Sequence, residues 1–313
     1  MRFLIHGSIA YDYLLHSDSS FVDGLKGQDL EKLSVGFFAH RMARHHGGTA
    51  TNISWNMLIL GQKPMVVGTV GRDGKECIEL LAGQGIDVSM IEMKRDYLTA
   101  SAFIATDSNE RQITFFHPGA DAHGTLPAPE LLKNIDCAII SPRDHVLMQQ
   151  AAAQCQALSI PYIFDPGQQS LAFSRDELRR VVTGARCLVM NAYEWQITRD
   201  KLEWDAPDIL RVCELIVVTQ GDQGVTIHSR EETLQVPACS PKLFMNPTGA
   251  GDAMRAALLV GLVSEWSLRD TARLGAAMAS FVIEQEGTLL ETVTLADIRA
   301  RAKATYGEEL PVI

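Results

Sequence analysis

Short runs rich in β-branched and other apolar residues recur along the chain: FLIHGSI (3–9), MVVGTVG (65–71), CAIIS (137–141), YIFDP (162–166), CLVMN (187–191) and LIVVTQG (215–221). Most are apolar at both alternating positions, the pattern of strands covered by helices on each face. Helical periodicity fills the intervals at 52–60, 75–84, 144–158, 175–183 and 206–213. Strands alternating with helices predict βαβ units, hence a three-layer α/β/α domain around a mostly parallel sheet. The end of the chain is helical in pattern, over 249–264, 268–284 and 294–305.

Two stretches break this rhythm. Residues 10–44 and 98–117 alternate polar and apolar positions between turn signals, and DSNER (107–111) reads as a hairpin turn. Both are expected to be strands of a small second sheet, a lid built from discontinuous segments of one domain spanning 1–313. No internal repeat, low-complexity tract or linker marks a second domain.

Composition narrows the field of partners. The 313 residues are 46% hydrophobic and 21% charged, with a net charge of −10. Such an acidic chain is expected to bind neither nucleic acid nor anionic membrane broadly. No apolar run approaches the roughly 18 residues of a membrane span. The apolar start, MRFLIHGSIAYDYLL, is interrupted by Gly7 and Asp12 and reads as a first strand, not a signal peptide. Six scattered cysteines without a C-x-x-C pair read as buried thiols of a cytoplasmic protein, and a zinc site built from them is not expected.

The candidate chemistry centres on NPTGAGDAMRAALLVGL (246–262). Pro247 is expected to break a preceding strand, and Gly249 and Gly251 permit a tight turn. Positions 250, 253, 254, 257, 258, 261 and 262 then form a helical face. Such a turn presents the amides of Gly249, Ala250 and Gly251 at a helix N-terminus, where anions are favoured. Asp252 either complements the helix dipole or takes a proton from a hydroxyl attacking a phosphoryl group held by those amides. Arg255, one turn on, either pairs with phosphate or with a helix neighbour.

Other segments carry two readings as well. HHGGTATNISWNMLILG (45–61) is a Gly-Gly turn into a helix with Ile53, Met57 and Leu60 on one face, and Thr49 or Thr51 suits its N-cap. NAYEW (191–195) places Asn191 and Glu194 as a capping box, and the same oxygens suit Mg²⁺. HRMARHH (40–46) is a solvated lid face or a seat for a phosphate on the substrate. Phe37, Phe38, Phe115 and Phe116 either stack on a purine or pack the lid. GTVGRDGKE (68–76) lacks the spacing and the Ser/Thr of a Walker A loop, and no G-x-G-x-x-G follows a strand.

Taken in chain order, these segments resemble the ribokinase-like (PfkB) carbohydrate kinases. NPTGAGD resembles the family's D-T-x-G-A-G-D, and more closely the D-P-T-G-x-G-D of its adenosine-kinase branch. HHGGTATN resembles G-G-x-x-x-N, VGTVGRDG (67–74) resembles G-x-v-G-x-D-x-x-G, NAYEW matches N-x-x-E, and VTQGDQG (218–224) resembles T-x-G-x-x-G. The resemblance implies an ATP-dependent kinase acting on a primary hydroxyl of a nucleoside or sugar. Asp252 would be the base and residues 249–251 the anion hole. Asp12, Gly47, Gly48 and Asn52 would grip substrate hydroxyls, Thr219, Gly221 and Gly224 would lie near ATP, and Asn191 and Glu194 would hold Mg²⁺ through water. Asn246 stands where the family has its first Asp, a position that organises a monovalent-cation loop in many members. That departure argues against activation by potassium (K⁺).

The resemblance places adenosine or a close nucleoside ahead of a free sugar such as ribose or fructose, with a phosphosugar third. A non-catalytic nucleotide- or sugar-binding regulator is the alternative from another class. The edges and apolar face of the lid predict a homodimer.

Overall fold

The computed structural model describes residues 1–27 and 34–313; residues 28–33 of the expected 10–44 segment lie outside the described residues. A nine-stranded sheet forms the body. Its strands are β1 (Phe3–His6), β4 (Met65–Gly71), β5 (Asp87–Lys94), β8 (Cys137–Ile140), β9 (Tyr162–Phe164), β10 (Cys187–Asn191), β11 (Leu215–Thr219), β12 (Val225–His228) and β13 (Thr233–Val236). They lie in the order β13-β12-β11-β10-β9-β8-β1-β4-β5. From β5 to β11 every neighbouring pair is parallel, and β12 and β13 add an antiparallel hairpin.

The six apolar runs are all strands of this sheet, although FLIHGSI leaves it after His6. Three strands lie outside those runs. β5 is an edge strand with largely half-exposed side chains, and β12 and β13 are only four residues each. The helices follow the periodicity closely: α2 (Thr49–Ile59), α3 (Lys75–Gly83), α4 (His145–Ala157), α5 (Arg175–Val182), α6 (Ala192–Leu202), α8 (Ala250–Val263), α9 (Leu268–Val282) and α10 (Leu295–Tyr306). The pattern at 206–213 yields only α7 (Ala206–Ile209), because Leu210 to Cys213 turn into β11. A short α1 (Phe21–Leu25) also forms.

Two apolar cores, one on each face of the sheet, give the three layers. Ile5, Val66, Ile139 and Val189 point to the layer containing α2, α8 and α9; Leu4, Val67, Ile140 and Leu188 point to that of α4 and α5. Alternate side chains of each strand thus bury on opposite faces, which is why the strands read as continuous apolar runs. All six cysteines are buried and free. No helix among the described residues is long and apolar enough to cross a membrane.

The second sheet has four strands, ordered β3-β2-β6-β7. β2 (Ala10–His16) and β3 (Arg41–Gly47) come from the first alternating stretch, and β6 (Ala100–Thr106) and β7 (Gln112–His117) from the second. β3 runs three residues past the expected boundary at 44. Asp107 builds the β6–β7 turn by accepting from the amides of Asn109 (2.8 Å) and Arg111 (2.9 Å).

In the body sheet β1 lies between β4 and β8, so strand order reverses at β1. Such a reversal opens a crevice at the carboxyl ends of the strands, where ligands of open α/β sheets bind. The chain leaves that end of β1 through Gly7 and Ser8 and enters the small sheet.

Candidate active site

The glycine turn forms, but no strand runs up to Pro247: β13 ends at Val236, and Pro237 and Pro241 keep the stretch between irregular. Gly249 caps α8 with φ +86°, a left-handed conformation that glycine adopts at no steric cost. The Ala250 amide turns back onto the Pro247 carbonyl at 3.3 Å, while those of Gly249 and Gly251 find no acceptor among the described residues. Asp252 follows in the first turn of α8, buried to 8% exposure. Its side chain accepts from Asn52 Nδ2 at 2.8 Å. Burial pushes the Asp252 carboxyl up to about 7, against the opposing pull of Arg255 and the Asn52 hydrogen bond. A carboxyl poised there suits a general base at neutral pH.

The Gly-Gly segment reaches the same place from the other end of the chain. Gly48, not Thr49 or Thr51, caps α2. Thr49 is the first helical residue, and its hydroxyl is tied to Ser141 Oγ at 2.8 Å. A side chain at Gly47 would overlap the Asp12 carboxylate, so the glycine makes room for that acid. Asp12 is buried too, which raises its carboxyl to about 6. Asp12, Gly47, Gly48, Asn52 and Asp252 thus share one cluster where the small sheet meets the body.

Thr219, Gly221, Gly224, Asn191, Glu194, Ala250 and Gly251 line a neighbouring cavity of about 450 Å³. Its lining also includes Met254, Ala276, Ala279 and the exposed Phe244, apolar surface fit for a planar ring. Asn191 and Glu194 form a reciprocal capping box: Asn191 N–H donates to Glu194 Oε2 (2.9 Å), and Glu194 N–H to Asn191 Oδ1 (2.8 Å). Capping leaves Glu194 Oε1 uncommitted at the cavity wall. Both readings of N-x-x-E are therefore compatible in one geometry.

Asp165 was not marked by sequence, and Arg255 carried two readings, a phosphate or a helix neighbour, neither of which is Asp165. The Arg255 guanidinium forks onto the Asp165 carboxylate through Nε and Nη2, the latter at 2.8 Å, and both residues are buried. YIFDP carried Asp165 only as the end of a strand, and its partner lies 90 residues away.

The basic segment 40–46 is already neutralised. Arg41 pairs with Glu286 (2.6 Å), and Arg44 pairs with Glu76 (2.5 Å). His46 also faces Glu76, at 3.7 Å. Phe37 packs edge-on against Phe21, and Phe38 is exposed. Strand register separates the other two aromatics. Phe116 lies opposite Ala102, which lies opposite Asp12, so Phe116 shares the Asp12 side of the small sheet. Phe115 lies opposite Phe103, itself stacked on Tyr13 on the other side.

A glycine turn at a helix N-terminus, a buried acid beside it and an adjoining cavity are the parts that a phosphotransferase site requires. Comparison with known proteins makes the family explicit. The model of the pfkB family carbohydrate kinases matches residues 26–294. The chain is 30% identical over 312 residues to a nucleoside kinase of Methanothermobacter thermautotrophicus, covering 98% of this chain and 97% of that one. Among solved structures, Burkholderia thailandensis nucleoside kinase in complex with inosine superposes with a TM-score of 0.90 at 31% identity, covering 98% of each chain. The same enzyme in complex with ADP-inosine gives 0.87 at 30% identity, covering 99% of this chain and 98% of that one. The chain belongs to the pfkB family of carbohydrate kinases and has its ribokinase-like fold. It is an ATP-dependent nucleoside or sugar kinase, a phosphotransferase acting on a hydroxyl group.

Proposed function

We propose that this kinase phosphorylates the primary hydroxyl of a purine nucleoside, adenosine foremost. The observation that carries the reading is the place of Asp252, next in sequence to Ala250 and Gly251 of the 450 Å³ cavity wall and hydrogen-bonded to Asn52 of the Asp12 cluster. ATP would occupy the cavity, its purine over Met254 and Ala276 and its phosphates toward Gly249 and Gly251. Asp12 would accept the two vicinal hydroxyl protons of a ribose, and Phe116 would cover the base as the small sheet acts as a lid. The nucleoside kinase relatives and the inosine complex of a structural neighbour support a nucleoside over a free sugar. The pairing of Arg41 and Arg44 with carboxylates argues against a phosphosugar, since their charge is already offset.

In this mechanism Asp252 takes the proton of the attacking hydroxyl as the γ-phosphoryl group transfers in line, and the open amides of the glycine turn stabilise the charge on its oxygens. Closure of the small sheet excludes water that would otherwise hydrolyse ATP. Glu194 Oε1 and the remaining lone pair of Asn191 Oδ1 would hold Mg²⁺ through its water shell. No cluster of three or more His, Cys, Asp or Glu among the described residues forms a protein-only cage, and the fit is to an ion that keeps its waters. When bound, Mg²⁺ neutralises phosphate charge. The exposed outer side of the small sheet, with Phe103 and Phe115, would pair two subunits.

The deciding experiment measures ADP release from ATP with adenosine, inosine, guanosine, ribose, fructose and fructose 6-phosphate. Turnover with purine nucleosides at least tenfold above the sugars is expected. Preference for a sugar would overturn the substrate and leave the role of Asp252 standing.

A further inference from the structure

Phosphate chains bring several negative charges into the cavity, yet the acidic side chains already on its wall are Glu194 and Asp222. Among the described lining residues one side chain carries positive charge, Arg255. The guanidinium is held as a fork. Nε and Nη2 donate to Asp165, whose Oδ1 also accepts the Gly167 amide at 3.1 Å in the turn after β9. Nη1 is left without a protein partner among the described residues. It lies against the glycine turn: a Cβ added at Gly251 would stand 2.5 Å from it. Gly251 is therefore small where the guanidinium comes up beneath the loop whose amides await an acceptor.

We infer that Arg255 is a further catalytic residue, donating Nη1–H to an oxygen of the transferring phosphoryl group from below the 249–251 turn, and that Asp165 is the positioning residue that aims it. This rests on the kinase reading above. Two of the guanidinium's three nitrogens are spent on orientation and the third, Nη1, is presented to substrate, an arrangement that a lysine, with a single point charge, cannot reproduce. Charge spread over the equatorial oxygens grows as the phosphoryl group leaves ADP, so the bond strengthens toward the transition state. A purely structural role would instead make Arg255 a buried tie between α8 and the β9 turn, indifferent to nucleotide.

The experiment compares the parent with Arg255→Met, Arg255→Lys, Arg255→Ala and Asp165→Asn for turnover and for ATP and inosine affinity, with folding monitored by circular dichroism. Removing one such donor typically costs about 10²- to 10³-fold in kcat, and Arg255→Met is expected to lose that much. Its ATP affinity should fall about tenfold and its inosine affinity should hold. Arg255→Lys should remain at least tenfold impaired. Added guanidinium should restore activity to Arg255→Ala and not to Asp252→Asn. Asp165→Asn should lose kcat with little change in the KM for nucleoside.

Folded Arg255→Met with kcat and ATP affinity within about threefold of the parent would overturn the proposal. If Arg255→Met does not fold, Arg255→Lys at parental activity, or Arg255→Ala without rescue, would overturn it instead. If the parent itself turns over no acceptor, the kinase reading fails separately. ATP affinity then still decides for or against an Arg255–phosphate contact.

Discussion

Asn52, in the first turn of α2, donates its side-chain amide to Asp252 Oδ2 at 2.8 Å across 200 residues of sequence. Turned around, the amide would set its oxygen against the Asp252 carboxylate; as placed, its Oδ1 accepts from Thr288 Oγ1 at 2.7 Å, and that hydroxyl also lies 3.2 Å from the His46 carbonyl. The segment holding Thr288 also carries Glu286, which pairs with Arg41 of β3. Asp252, α2 and the small sheet are thus tied through one stretch of chain.

Asn52 stabilises the ionised form of Asp252, and a hydrogen bond to a charged group is worth about 1.5–3 kcal/mol. Asn52→Leu should raise the Asp252 pKa by about one to two units and move the acid limb of kcat/KM upward by the same amount. Asn52→Asp adds a like charge and should shift it further. An unmoved acid limb in both variants would show that a different group sets it.

The parent enzyme should itself show that limb. Asp252 must be ionised to accept a proton, and burial holds its carboxyl at about 7. Activity should therefore rise with pH through about 7 and level off above about 8, with the Asp12 carboxyl, raised to about 6, steepening the lower part. The limb should vanish from the residual activity of Asp252→Asn, which should turn over several orders of magnitude more slowly.

The same burial costs stability. A carboxyl raised from 3.8 to about 7 on folding is ionised in the unfolded chain before it is ionised in the native one. Stability contributed at low pH is thus lost as pH rises from about 4 through 7. Asp252→Asn removes the penalty and keeps an oxygen for Asn52. It should raise the melting temperature by several degrees at pH 8 and by little at pH 4, a gain bought with activity. Equal effects at both pH values would refute the electrostatic account.

Much of this site is local in sequence, and that part was legible there. Gly249, Gly251 and Asp252 lie within four residues, and Asn191 and Glu194 meet through a capping box closed over one helical turn. Strands buried on both faces announced themselves as apolar runs. β5 did not, since an edge strand carries Asp87 on an exposed position and Glu92 and Lys94 on half-exposed ones. The Asp165–Arg255 fork and the Thr288–Asn52 bond were illegible for a different reason. Each joins elements that only the folded sheet brings together, and neither residue type at those spacings implies the other.

Asn246 bears on potassium. Its Oδ1 accepts the Thr248 amide (3.0 Å) and its Nδ2 donates to the Glu286 carbonyl (2.8 Å), so the side chain closes the loop with its own N–H. The enzyme should work equally well in potassium and in a bulky organic cation. Asn246→Asp replaces that donor by an oxygen facing a carbonyl, a repulsion that a monovalent cation relieves. The variant should lose activity without potassium and recover it with potassium added, and indifference to the ion would count against the loop tie.

Phe115 and Phe116 are adjacent, yet strand geometry sends them to opposite sides, and their substitution should separate two functions. Phe116 shares the Asp12 side. Its replacement by Ala removes a stacking partner for the base, worth about 1–3 kcal/mol, so the KM for nucleoside should rise about 5- to 100-fold. Phe115 is 68% exposed beside Phe103 on the outer side. Phe115→Ser with Phe103→Ser should leave that KM within twofold and convert a dimer to a monomer in sedimentation at micromolar concentration. A monomeric parent would refute the outer-face contact. A raised KM in the Phe115 variant alone would mean that the small sheet presents its other side to the substrate.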